Sequence, residues 1–402
     1  MSAPTPPTPP ATPRIAAIDA YRGFVMFLML AEIFHFATVA RNVPATEPSK
    51  EIWQFLAQQQ THVEWAGCTL HDLIQPSFSF LVGAALPFSL ASRAARGQKF
   101  VWKAFHALWR AVLLVWLGVF LRSVNQSQTN WIFTDTLSQI GLGYFFLFLL
   151  GHLREKWHWA AFVLIVVGYW AYFANHPPDS QLAFEQTGVK ADWGHDYTGL
   201  AAHWNKNTNA AAAFDRWFLN LFPRAKPFEY NSGGYATLSF IPTLATMILG
   251  LIAGGRLMRP QPRNGKFWNL FGTGFGLLLG GYLLGFLGLC PVVKRIWTPS
   301  WVLFSGGWCF LILSAFYATT DMTERAGWTF PLRVIGANSI LIYCVHDLLA
   351  PFVLGSFKTH LGPNVFKSLG GEYEPFVAGA AVLTVYWLGL LWLYHRKVFV
   401  RI

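Results

Sequence analysis

The sequence predicts an all-α, polytopic transmembrane helical bundle of about ten spans, with one long extracytoplasmic loop. Of its 402 residues, 54% are hydrophobic and only 12% are charged, about half the charged share of an ordinary soluble domain. Aromatics make up 17%, with 36 Phe and 19 Trp, more apolar surface than a soluble core buries. Long uncharged runs recur at the length of a bilayer crossing.

Residues 1–13 repeat Pro, Thr and Ala and read as a disordered cytoplasmic tail. They lack the basic and apolar regions of a signal peptide. The remainder, 14–402, reads as one transmembrane domain. Its first span covers about 23–39, with Arg14 and Arg22 anchoring the start on the inside. A segment over 41–70 follows on the outer face. The second span, about 73–91, returns to a basic turn with Arg93, Arg96, Lys99 and Lys103. Spans at about 104–120, 137–150 and 159–173 follow.

Residues 175–234 form the one long non-membrane segment, rich in Asn, Asp, His and aromatics. A loop of this length is uncommon unless it is functional or disordered. Its stretch DWGHDYTGLAAHWNKN (192–207) suits stacking on a sugar-like ligand, or serves equally as a structured cap. The sixth span, about 238–254, leads to Arg256, Arg259, Arg263 and Lys266. The seventh, about 270–289, carries many glycines, which permit close helix approach. An outer turn over 291–301 precedes spans at about 302–317, 334–349 and 376–394. The basic tail HRKVFVRI places the C-terminus inside with the N-terminus.

The formal charge of +11 fits basic loops between spans, as the positive-inside bias requires. No nucleic-acid module is visible. Four cysteines, Cys68, Cys290, Cys309 and Cys344, lie without CxxC spacing, which fits neither a metal site nor a disulfide framework. No HExxH or zinc-finger spacing occurs, so no metal is expected. A P-loop is absent, and no internal repeat of the secondary-transporter kind is visible.

Polar residues in or beside spans point to function by default. Asp19 and Arg22 lie one helical turn apart, as a structural ion pair would, and Glu32 and His35 share that spacing further along. THVEWAGCTLHDLIQPSFSFLVG (61–83) crowds His62, Glu64, Trp65, Gly67, Thr69, His71 and Asp72 where a span meets water. A His held by a carboxylate moves protons near neutral pH, deprotonating an acceptor or accepting an acyl group itself. Its plainer alternative is a loop with Thr69 or Asp72 capping the following helix. GANSILIYCVHDLL (336–349) adds Asn338, Ser339, His346 and Asp347 in the ninth span, where Asn338 also suits interhelical hydrogen bonding.

Together these motifs resemble the heparan-α-glucosaminide N-acetyltransferase family and its bacterial relatives. RIAAIDAYRGFVMFLML resembles the family's entry helix. The second block follows H-x-x-W-x-G-x-T-x-x-D-L-x-x-P-x-F-x-F-x-x-G. TLSFIPTLATMILGLIAGGRL, VKRIWTPSWVLFSGGW, GANSILIYCVHDLL and the tail YHRKVFVRI follow in family order. The resemblance implies a membrane acyltransferase that takes acetyl-CoA from the cytoplasmic side and acetylates an amino sugar or hydroxyl of a glycan on the periplasmic side.

Carried over, His62 falls on the active-site histidine and Asp72 becomes its carboxylate partner. Trp65, Gly67 and Thr69 surround them, while Asn338, Ser339 and His346 line the acyl-CoA cavity. Asp19, Arg22, Glu32 and His35 complete the candidate substrate-binding set. The family has Asn eleven residues after its entry-helix Arg; here that position is Ile33, with Glu32 and His35 beside it. The inner basic residues would attract the donor's phosphates. The bacterial branch of the family implies an inner-membrane location and leaves room for a homo-oligomer. The alternative is a permease for a small polar solute, with Asp19, Glu32 and His35 as relay groups.

Overall fold

The computed structural model describes residues 15–178, 184–190 and 192–400; the expected tail at 1–13 lies outside the described residues. Among the described residues, fifteen α-helices run in order: α1 Ala16–Leu30, α2 Phe36–Asn42, α3 Lys50–Gln59, α4 Ile74–Ala95, α5 Phe100–Ser123, α6 Thr136–Leu150, α7 Glu155–Asn175 and the short α8 Phe184–Thr187. They continue with α9 Ala210–Phe218, α10 Phe240–Met258, α11 Arg263–Phe286, α12 Pro299–Tyr317, α13 Phe330–Ala337, α14 Ser339–Leu361 and α15 Glu374–His395.

The chain is a polytopic helical membrane protein. Among the described residues, eight helical stretches are long and apolar enough to cross a bilayer. A further candidate is a helix pair bent by 62° between Gly327–Ala337 and Ser339–His346. The fourth expected span, α6, has 15 residues, a length of about 22 Å against a hydrocarbon core of about 30 Å.

Two expected spans are broken rather than continuous. The first gives way after α1 to a 3₁₀ turn, Ala31–Phe34, and a left-handed His35 at φ 49° before α2 begins. The ninth breaks at Asn338, where the chain turns from α13 into α14. The Asn338 amide donates to the Val398 carbonyl (3.1 Å) and accepts from the Val400 N–H (2.9 Å). The break thus receives the C-terminal tail.

At the centre, α10 is the most buried of the spans and crosses α4 very closely. A Cβ on Gly83 would collide with the Met247 carbonyl, and one on Gly250 with that of Phe80. In α11, Gly274 and Gly281 sit close against α12, whereas Gly272, Gly276 and Gly280 meet nothing within 4 Å. The expected close approach thus uses one face of that helix.

The two ends of the bundle differ. At the near end, where α1 starts, the Asp321 carboxylate accepts from the backbone N–H of Ala16 (3.0 Å) and Ala17 (2.8 Å). Glu155 binds Arg256 (2.8 Å) and Arg259 (2.5 Å) there. At the far end, the described part of 175–234 folds into a cap. Trp65, Phe173, Trp204 and Ile296 form its buried apolar cluster. Tyr169 donates to the Ile296 carbonyl (3.1 Å), and Arg224 to that of Trp131 (2.5 Å).

Candidate active site

The site is built on the irregular stretch between α3 and α4. Gly67 adopts φ 120°, a conformation open to glycine, and its N–H donates to the Val292 carbonyl at 3.0 Å. Ala66 forms an isolated bridge with Val293. These contacts hold the stretch against the turn before α12. A 3₁₀ turn, His71–Leu73, then leads into α4.

Asp72 is 1% exposed and turns back into the loop instead of capping α4. Its Oδ2 accepts from the Thr69 N–H (3.1 Å), the Thr69 hydroxyl (3.0 Å) and the Val63 N–H (3.3 Å). Its Oδ1 lies 2.7 Å from His62 Nδ1 and 3.3 Å from Lys294 Nζ. Lys294 Nζ is also 3.1 Å from His62 Nδ1. Only one of His62 and Lys294 can place its proton between them. The shorter contact to a carboxylate assigns that proton to Nδ1, donating to Asp72, and leaves the lone pair on Nε2. Lys294 balances the buried carboxylate.

Burial pushes the His62 ring below the usual imidazole range and Lys294 adds to the shift, while Asp72 opposes both. Burial likewise lowers Lys294, against the pull of Asp72. Burial of the ring and the charge of Lys294 both favour a neutral, proton-accepting His62 near pH 7. Burial pushes the neighbouring Cys68 thiol up to about 12, so it has little thiolate with which to act as a nucleophile.

A second His–carboxylate pair adjoins the first. His71 Nε2 lies 2.9 Å from Glu32 Oε1, and its Nδ1 lies 3.0 Å from Gln60 Oε1. The His62 and His71 rings are 4.4 Å apart between centroids. Glu32, His62, His71, Lys294 and His346 line one far-end cavity of about 520 Å³, with Arg122 and Asp135 on its other wall. Another groove, of about 590 Å³, follows α12 from Thr319 and Trp328 to Thr69. Its lining from Phe304 to Thr319 spans about 22 Å of helix.

Comparison with known proteins finds two curated relatives. The heparan-alpha-glucosaminide N-acetyltransferase of Homo sapiens is 24% identical over 385 residues, covering 85% of this chain and 55% of the relative. The protein of that name from Mus musculus is 24% identical over 393 residues, covering 85% and 56%. The chain is a distant relative of the heparan-alpha-glucosaminide N-acetyltransferases. It spans about half the length of the curated relatives it matches. No family model matches it.

For this relative of the N-acetyltransferases, the structure gathers part of the expected set. His62, Asp72 and Thr69 meet, and Glu32 and His346 line the same cavity. His346 Nδ1 lies 3.1 Å from the Tyr343 carbonyl, and Tyr386 donates to the His346 carbonyl at 2.6 Å. Trp65 lies wholly buried beneath the cap, its indole N–H donating to the Trp204 carbonyl at 3.2 Å.

Other expected residues lie elsewhere. Asn338 is outside the cavity lining and holds the tail, and Ser339 donates to the Gly336 carbonyl at 2.8 Å. Asp19 and Arg22 pair at 3.7 Å near the start of α1, about 20 Å along the chain axis from Glu32. His35 stands exposed in the break and does not line the cavity. The Asp347 side chain lies outside the described residues.

Several inner basic residues have partners within the protein. Arg256 and Arg259 bind Glu155, Arg263 binds Glu324, and Lys266 donates to the Leu257 carbonyl. Lys294, Gln60 and Arg122 were not singled out by sequence reasoning. Their one signal is Lys294's place in the VKRIWTPSW block. Among the described residues, no three or more His, Cys, Asp or Glu converge as metal ligands, and the Lys294 ammonium stands where a cation at His62 and Asp72 would be repelled.

Proposed function

We propose that the protein is a membrane-embedded acetyltransferase that moves an acetyl group from acetyl-CoA to an amino sugar or hydroxyl of a glycan. The observation that carries this reading is the 2.7 Å contact from His62 Nδ1 to the buried Asp72 carboxylate, with Lys294 beside both. The distant relationship to the acetyltransferases supports it.

Acetyl-CoA supplies an activated thioester. Asp72 fixes the His62 tautomer and ring, so that Nε2 either takes the acceptor's proton or receives the acetyl group. Thr69 and Val63 hold Asp72 in turn. Lys294 and Arg122 are the cations that line the cavity where the carbonyl oxygen gains charge. In this reading the donor's arm lies along the α12 groove, which runs to the Thr69 side of the site. In this reading α1 starts in the cytoplasm of a bacterium and the cap is periplasmic, with both termini inside.

The test is CoA release from acetyl-CoA by detergent-purified protein, with a panel of amino sugars as acceptors. Wild type releases CoA in an acceptor-dependent way, and His62→Ala lowers turnover by about 10²- to 10⁴-fold, the usual contribution of a positioned base. If wild type neither binds nor turns over acetyl-CoA, the reading fails.

A further inference from the structure

The pair Glu32–His71 is not needed to position His62, yet it stands against it. A carboxylate within a membrane-spanning stretch is costly and needs a partner. Glu32 has one in His71, whose ring is 7% exposed while the Glu32 side chain is 53% exposed. His71 therefore anchors the carboxylate from behind and leaves it open to the cavity. Gln60 holds the other ring nitrogen of His71. The 3₁₀ turn after α1 and the left-handed His35 that ends it form the break at which Glu32 lies.

The other charged groups at the cavity are already occupied. Asp72 is enclosed by five donor contacts, including Lys294, and Asp135 lies 3.7 Å from Arg122 and accepts from the Ser138 N–H. His346, whose Nδ1 lies 3.1 Å from the Tyr343 carbonyl, is a further titratable group near Glu32.

We propose that Glu32, held by His71, takes the proton that the acceptor loses, leaving His62 Nε2 to engage the acetyl group. This rests on the acetyltransferase reading above. As the acceptor's nitrogen or oxygen bonds to the acetyl carbon, its proton passes to the Glu32 carboxylate. The bond that breaks is C–S in direct transfer, with the electron pair leaving on the thiolate. It is C–Nε2 if the acetyl group has first moved to His62, and the pair then returns to Nε2. A base other than His62 is required in the second case, because an acetylated Nε2 has no lone pair to accept a proton. Glu32 then releases its proton to solvent through its exposed side.

A purely structural pair, tying the end of α1 to the start of α4, is the competing account. Three proteins separate them: wild type, Glu32→Gln and Glu32→Ala, each assayed for acetyl-CoA affinity without acceptor and for transfer to glucosamine. Glu32→Gln is expected to keep acetyl-CoA affinity within about two-fold while transfer falls by about 10²-fold. Added formate or acetate is expected to restore transfer by Glu32→Ala, more so for the more basic acetate. Unchanged transfer in Glu32→Gln overturns the proposal, as does a loss of acetyl-CoA affinity in step with transfer, or an absence of rescue. If wild type neither binds acetyl-CoA nor transfers from it to any acceptor of the panel, the acetyltransferase reading itself has failed and this inference goes with it.

Discussion

Lys294 is 4% exposed, a burial that lysines tolerate only when paired. Its charge is matched by Asp72, and its second effect falls on His62. Removing the cation lets His62 hold a proton more readily, so its pKa rises. Lys294→Gln, which still donates to Asp72, should move the acidic limb of the kcat/KM profile to higher pH, because the repulsion of the ammonium on a protonated His62 is lost. A pH–rate series on the two proteins measures it; a limb that stays put removes Lys294 from the tuning of His62. The His62–Asp72 pair was legible because ten residues separate its members and the loop stays local. Lys294 lies 222 residues from Asp72, a separation that no local pattern reports. Asn338 had an unusual character that the sequence displayed, but its partners, the backbone of Val398 and Val400, carry no side-chain signal.

The helices meet through faces rather than through composition. In α11 the glycines are numerous and visible, yet three of them face open space. The tightest crossing uses the sparser glycines of α4 and α10, because only their facing positions matter. Gly250→Leu should therefore destabilise the protein by at least the 1–3 kcal/mol typical of overpacking, since the obstacle is the Phe80 backbone carbonyl. Gly272→Leu should be nearly neutral. Apparent melting temperature and monodispersity in detergent compare the two, and equal losses would contradict the crossing described. Helix identity was legible from bilayer-length apolar runs. The breaks at His35 and Asn338 were not, since no Pro or Gly stands at either position and Gly336, two residues before Asn338, lies within α13. His35 pays for a left-handed φ with no glycine present, a conformation that histidine adopts more often than most residues.

Across the whole molecule, the cap and the bundle are one folded unit at the far end, and Asp215 shows its cost. This carboxylate is 2% exposed and accepts from the Thr237 N–H at 2.9 Å. Burial pushes its pKa up to about 6, against the pull of Thr237. The folded chain therefore binds this proton more tightly than the unfolded chain, and stability falls as pH rises from about 4 to about 6. Asp215→Asn should remove that slope and gain up to about 3 kcal/mol above pH 7. The difference between the two melting curves across pH 4–8 tests this, and parallel curves would refute it. The sequence left the long segment open between a ligand-stacking loop and a structured cap, and which of its carboxylates would be buried depended on its contact with the start of α10. The turn before α12 has a further consequence, in the order of synthesis. Asp72 leaves the ribosome 222 residues before the lysine that neutralises it, a delay on the order of ten to forty seconds at ordinary elongation rates. Throughout that interval the nascent chain carries an acidic group without its cation at the edge of the membrane. A transcript ending before codon 294 would leave that group permanently uncompensated, so the earliest part of the site is completed only by one of the last.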